Sequence, residues 1–186
     1  LPQRGSAFTR WIGRVMLAMI GYKVIGQFPS HPKLILLGTP HTSNWDLLLA
    51  MGMRFATGAH YNWMMKKEAF VWPFGPLWKR MGGIPIDRKA AQDVTQQTAD
   101  WFNASEAAYL GITPSGTRAK IDRYKKGYLR IAHAANVPVF ICGVDSRRKA
   151  LVLDKVWPLT GDIDADNAEI KAYIDANYSG IKPANG

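Results

Sequence analysis

The chain is poor in anything that would fasten it covalently. Cys142 is its single cysteine, so no internal disulfide can form. It sits in the apolar run Val139-Phe140-Ile141-Cys142, the setting of a buried structural thiol, and its isolation fits a reducing compartment. Acids are scarce too. Fourteen Asp and Glu stand against 24 Lys and Arg, giving a formal charge of +10, and the first acid is Asp46. The excess is uneven: residues 1–100 carry +7, residues 101–160 carry +6 and residues 161–186 carry −3. Such a balance points to an anionic partner, whether nucleic acid, a phospholipid surface or a phosphorylated substrate. Internal repeats and low-complexity segments are absent. The most membrane-like stretch, residues 8–20, is shorter than the roughly 20 apolar residues of a spanning helix and is interrupted by arginines. The chain begins at Leu1 without Met, which leaves a signal peptide, tag or membrane helix upstream open.

What is present suffices for one domain with a substantial core: 186 residues, 47% hydrophobic, with seven each of Trp, Tyr, Phe and Met. Phe8, Trp11, Ile12, Val15, Met16, Met19 and Ile20 recur at spacings of three and four, with Arg10, Gly13 and Arg14 off that stripe. Residues 1–21 therefore form an N-terminal amphipathic helix segment suited to lying on a membrane interface, to packing on the core, or to both. Residues 22–25 and 33–37 read as strands around a turn that holds His31. Helices are expected over 45–56, 91–108 and 123–136, the last interrupted by Gly127, and from Asp166 onward with Glu169 as a capping-box partner. Strands are expected over 61–65, 82–88, 109–112 and 137–144, and a more exposed one over 151–157. Residues 70–78 contain four aromatics with Pro73, Gly75 and Pro76. They read as a loop, either touching lipid, covering an apolar pocket or tucked into the core. Helices alternating with short apolar strands indicate an α/β layered single domain, with a largely parallel or mixed central sheet flanked by helices.

The chemistry centres on Thr39-Pro40-His41-Thr42-Ser43-Asn44-Trp45-Asp46, between two apolar runs. On one regular helix His41 and Asp46 would lie about 140° apart and could not face each other. If a strand ends before His41 and a helix begins near Ser43 or Asn44, the chain can fold back so that carboxylate meets imidazole. One ring nitrogen is then held protonated and the other is left as a general base. A turn histidine with a purely structural role, and an aspartate that merely complements a helix N-terminus, are the plainer readings of each residue alone.

The segment His41 to Asp46 resembles the H-x4-D motif of the glycerolipid acyltransferase family, which includes the lysophosphatidic acid acyltransferases. Gly83-Ile84-Pro85-Ile86-Asp87-Arg88 resembles its second motif, Thr113-Pro114-Ser115-Gly116-Thr117-Arg118 its third, and Val137-Pro138-Val139 its fourth. The resemblance spans residues 33–145. It implies that His41 and Asp46 deprotonate an acceptor hydroxyl, which attacks the thioester of acyl-CoA or acyl carrier protein. It implies no cofactor, no metal and no covalent acyl-enzyme. Ser43, Gly83, Pro85, Ser115 and Pro138 are the motif-supporting positions. Ser115 stands where the family usually has glutamate, a departure that bears on loop orientation or acceptor choice.

The residue types suit this chemistry on their own terms. Arg88 and Arg118 each follow a strand-like segment and can hold a phosphate bidentately. Gly116 and Thr117 would offer backbone amides to the same anion, and Lys66 a further contact, with Lys67 beside it. Ser115 as a hydrolase nucleophile is disfavoured, because that elbow needs glycine at the position of Thr113. The expected partners are a phospholipid membrane surface, a lysophospholipid acceptor such as 1-acylglycerol-3-phosphate, and the acyl donor. The expected location is cytoplasmic, peripheral on the inner face of the membrane. A non-catalytic lipid-binding protein on the same scaffold and an acyl hydrolase are the alternatives. Nucleic acid is not expected, because the basic residues form no recognised binding motif.

Overall fold

The computed structural model describes residues 5–39, 45–87, 93–115 and 121–180; at Thr39, Trp45, Asp46 and Leu47 it describes the backbone alone. The described chain alternates helices and strands. They are α1 (Ala7–Met19), β1 (Lys23–Gly26), β2 (Lys33–Thr39), α2 (Trp45–Thr57), β3 (Trp63–Lys66), α3 (Phe74–Met81) and β4 (Gly83–Ile86). There follow α4 (Val94–Asn103), β5 (Ala108–Ile112), α5 (Gly127–Ala135), β6 (Val139–Asp145), β7 (Ala150–Trp157) and α6 (Ile163–Asn177).

Five strands form a sheet in the order β1-β7-β6-β2-β5, and β3 pairs with β4 alongside. The two parts are joined at Asn62. Its N–H donates to the Tyr109 carbonyl at 2.7 Å, and its own carbonyl accepts from Gly111 N–H at 2.8 Å. β6, β2, β5, β3 and β4 run parallel, while β7 is antiparallel to β6 and carries β1 parallel to itself. The sheet is thus mixed, and β2 occupies its middle.

Side-chain alternation sorts the core onto two faces. Ile35, Leu37, Leu110, Val139 and Ile141 point to the layer of α4, α5 and α6, against Phe102, Leu129 and Ile170. Leu34, Leu36, Tyr109, Phe140 and Cys142 point the other way, toward α2. The strands of a sheet covered on both sides are apolar throughout, as Leu34-Ile35-Leu36-Leu37 is, each at most 3% exposed. Cys142 is buried as expected.

Helix α1 packs on α2 through glycines. A Cβ on Gly13 would come within 2.3 Å of Ala56 N, and one on Gly52 within 2.5 Å of Leu17 Cδ2. Gly13 and Leu17 are the buried positions of α1. The apolar stripe, expected to face a membrane interface, the core or both, is divided: Phe8, Trp11, Ile12 and Met19 remain exposed, at 66%, 59%, 41% and 76%, while the neighbouring Leu17 is buried. Gly13, off that stripe in the sequence pattern, is the point of closest approach, because only glycine lets the two backbones meet there.

Several element boundaries differ from expectation for identifiable reasons. Residues 74–81 are a helix rather than a loop. Pro76 stands in the first turn of α3, where a missing N–H breaks no helical hydrogen bond, and Gly82 at φ +108° closes the other end. α4 starts only at Val94, where Asp93 accepts from Gln96 N–H at 2.9 Å, and ends at Asn103; Tyr109 belongs to β5. Gly127 begins α5 instead of interrupting it, and Asn136 caps it in the left-handed region at φ +50°. α6 begins at Ile163, capped by Asp162, which accepts from the N–H groups of Asp164 and Ala165. Asp166 is fully buried and accepts from Thr160 N–H at 3.0 Å and Thr160 Oγ1 at 2.9 Å, so it fastens the preceding turn rather than capping the helix. β7 is an inner strand in the sheet order with Ala150, Leu151 and Leu153 buried, and it is more exposed than β6, as expected, with Asp154, Val156 and Trp157 half-buried and Lys155 exposed.

Candidate active site

In a parallel sheet, the loops at the carboxyl ends of the strands emerge on one edge, where α/β proteins place their sites. Here the register fixes which loops those are. Leu37 of β2 lies beside Ile112 of β5, Thr39 beside Gly143 of β6, and Lys66 of β3 beside Ile86 of β4. β5 is the neighbour of β2, and the β3–β4 pair joins β5 in parallel through Asn62, so the carboxyl ends of β2, β5, β3 and β4 face the same edge. From this edge three of the four motifs depart: His41 to Asp46 after β2, Ser115 to Arg118 after β5, and Arg88 after β4.

His41, Ser43, Arg88, Gly116, Thr117 and Arg118 lie outside the described residues, as does the side chain of Asp46. The backbone on either side of His41 is described and has the expected form. β2 ends at Thr39 and α2 begins at Trp45. Asp46 is therefore in the first turn of α2, where the helix dipole favours a carboxylate.

Lys66 ends β3 at this edge with its side chain exposed, and neighbouring Lys67 pairs with Asp87 at 3.4 Å. Ser115 is half-buried, and its Oγ is buried with no hydrogen-bond partner among the described residues. Gly83 opens β4 in a place with no room for a side chain: a Cβ would lie 2.9 Å from Met65 Sδ and 3.1 Å from Trp78 O. Its part in the second motif is packing. Pro85 is exposed on β4, which among the described residues pairs with β3 alone, an edge position of the kind that tolerates proline.

Pro138 does not join this group. It precedes β6, at the opposite edge of the sheet, and its carbonyl accepts from Ile35 N–H at 3.0 Å. It sets the alignment of β6 on β2 from the far end, with the seven residues of β6, about 20 Å of strand, between it and the candidate site.

Two supporting side chains are absent from the sequence reading. Gln97 of α4 donates to the Asp87 carbonyl at 2.8 Å and accepts from Asp87 N–H at 3.1 Å, which fixes the residue before Arg88. Arg54 of α2 donates to the carbonyls of Met81 and Tyr61 and lies over the Tyr61 and Trp63 rings at 5.7 and 5.9 Å. It ties α2 to the connections that carry β3 and β4. A lone Gln within a polar helix and a lone Arg at a helix end carry no signal of these roles in the sequence. Tyr61, whose hydroxyl donates to the Ala50 carbonyl, has its phenol pushed well above the ordinary range by burial.

The acyltransferase family model matches residues 22–145. Among solved structures, the chain is similar to the 1-acyl-sn-glycerophosphate (LPA) acyltransferase PlsC from Thermotoga maritima. The TM-score is 0.59 at 14% identity, over 91% of this chain and 78% of that one. A comparison with curated proteins gives no match.

Proposed function

Since the chain belongs to the acyltransferase family, we propose that it moves a fatty acyl group from an acyl thioester, acyl-CoA or acyl carrier protein, to the hydroxyl of a lysophospholipid such as 1-acylglycerol-3-phosphate. The observation that carries this reading is the departure of the His41, Ser115 and Arg88 segments from one edge of the sheet. The resemblance to the glycerolipid acyltransferases supplies the roles.

His41, held by Asp46, removes the proton from the acceptor hydroxyl as its oxygen attacks the thioester carbonyl. The tetrahedral intermediate collapses with loss of the thiolate, to which the imidazolium returns the proton. Arg88, Arg118, Lys66 and the amides of Gly116 and Thr117 hold the acceptor phosphate. The reaction as written uses no metal, cofactor or acyl-enzyme. Residues 1–186 act as one acyltransferase domain with residues 1–21 as its docking element.

Two exposed apolar elements support a peripheral position on a phospholipid surface, and the inner face of the cytoplasmic membrane is the proposed location. They are the outer face of α1 and the region of Val71, Trp72, Phe74 and Leu77. Among the described residues no helix is long and apolar enough to cross a membrane.

The test is mass spectrometry of products formed from mixed lysolipids and mixed acyl donors by the wild type, His41→Ala and Arg118→Ala. His41→Ala is expected to lose about 10²–10⁴-fold in transfer with unchanged circular dichroism, and Arg118→Ala to raise KM for phosphorylated acceptors. Full transfer by folded His41→Ala ends the mechanism. Free fatty acid as the sole product would make the protein a hydrolase. Binding of lysolipid without any product would make it a lipid-binding protein.

A further inference from the structure

We propose that the cleft between α1 and β1 binds the headgroup phosphate of an anionic membrane phospholipid, at a site separate from the strand-end edge. The inference rests on the reading that α1 lies on a membrane, and it adds a specific lipid contact to that reading.

The cleft has a volume of about 650 Å³, within the usual range of ligand sites. Arg10 and Arg14 of α1 form one wall and Lys23 of β1 belongs to the other, over a floor that includes Leu17, Phe28 and Leu153. No carboxylate lines it among the described residues. Arg10 Nε is buried and, among the described residues, has no hydrogen-bond partner. A guanidinium N–H withheld from both water and protein is unfavourable until an acceptor arrives. Three cations and an unmet donor above an apolar floor suit an anion carried on an apolar body. Arginine pairs readily with phosphate in bidentate fashion.

The position along α1 favours a lipid as the carrier of that anion. Phe8, Ile12 and Met19 lie along the exposed side of the helix, and Trp11 stacks on Phe8 at 6.1 Å. Arg14 follows Trp11 by three residues and is its neighbour on the helix surface. An interfacial helix sets its apolar face at the acyl boundary, which brings its basic flank to headgroup level. The cations that line the cleft therefore stand beside the apolar stripe.

The test is co-sedimentation of the full chain with phosphatidylcholine vesicles, with and without 30 mol% phosphatidylglycerol. It compares the wild type, Arg10→Gln/Arg14→Gln, and Lys125→Gln/Arg130→Gln, a control with the same loss of charge outside the cleft. Anionic lipid is expected to strengthen wild-type binding by more than about thirtyfold. The cleft variant should lose most of that gain, by roughly twenty- to thirtyfold on the general scale for two basic side chains at an anionic surface, while its binding to pure phosphatidylcholine and its melting temperature stay unchanged. The control variant should keep the gain. Equal losses in the two variants, or equal binding of the wild type to both vesicles, overturn the inference and leave docking by α1 standing. Release by millimolar inorganic phosphate at constant ionic strength marks a site for free anions and overturns the lipid assignment. Failure of the wild type to bind either vesicle removes the docking reading and the inference with it.

Discussion

Gln97 closes both main-chain hydrogen bonds of Asp87. Its amide oxygen accepts from the Asp87 N–H at 3.1 Å and its amide nitrogen donates to the Asp87 carbonyl at 2.8 Å. Asp87 is the last described residue before Arg88, so this clamp fixes the backbone from which that arginine departs. Gln97→Ala removes two hydrogen bonds worth about 1 kcal/mol each. The expected result is a KM for phosphorylated acceptor raised about tenfold, with kcat changed less. Gln97→Glu keeps the acceptor but not the donor and should fall between. An unchanged KM in both variants would show that the clamp serves the fold alone.

The contact of α1 with α2 predicts unequal costs for two alanine substitutions. A methyl on Gly13 meets backbone atoms, Ala56 N at 2.3 Å and Phe55 C at 2.6 Å, which cannot yield without separating the helices. A methyl on Gly52 meets the end of the Leu17 side chain, at Cδ2. Gly13→Ala should cost about 2–3 kcal/mol and Gly52→Ala about 1 kcal/mol or less, by denaturant unfolding. Equal costs would contradict the geometry.

Asp145 ends β6 and is buried. Burial pushes its carboxyl up, but the N–H groups of Arg148 and Arg147, together with the Arg147 guanidinium, pull it further down, so it lies below the ordinary value. The sign follows: a depressed native pKa adds stability that is fully present above the unfolded value, about 3.9, and is lost as pH falls through the native value. Asp145→Asn should cost about 1–2 kcal/mol at pH 7, and the gap should narrow as pH falls through the native carboxyl's lowered value. A gap that persists at low pH would assign the loss to packing.

Cys142 is pushed well above the ordinary thiol range, first by burial and then by the charge of Asp154. The native protein at pH 8 should not react with a disulfide reagent over minutes, whereas the unfolded chain should release one equivalent. Rapid reaction of the native form would mean that the inner face of β6 opens readily.

The order of strands and helices around His41 was legible, because a run of four apolar residues ending in a Pro-His turn leaves few alternatives. The convergence of three motifs on one edge was also legible, since parallel strands put their loops there. The inner position of β7 was not. Its alternation of polar and apolar residues suggests a strand with one wet face, yet Asp154 on that strand accepts from the hydroxyls of Tyr173 and Tyr178 at 2.7 and 2.6 Å. Two tyrosines some twenty residues away satisfy the carboxylate, and a linear pattern carries no sign of them. The start of α6 was obscured by Asp162, Asp164 and Asp166 at alternate positions, any of which can cap; burial of Asp166 against Thr160 decided among them. Residues 74–81 misled because proline in a helix interior and proline in its first turn look alike until the first turn is known.

The place of β2 has a consequence for the order in which the chain is assembled. Leu37 pairs with Ile112 on one side and Ile141 on the other, roughly 75 and 100 residues further along. Long-range pairings of this kind must close large loops before they are rewarded, and they form late. A nascent chain that has reached α5 holds β2 with one side still open. The strand that leads into the proposed catalytic segment therefore gains its second neighbour only after β6 has been synthesised.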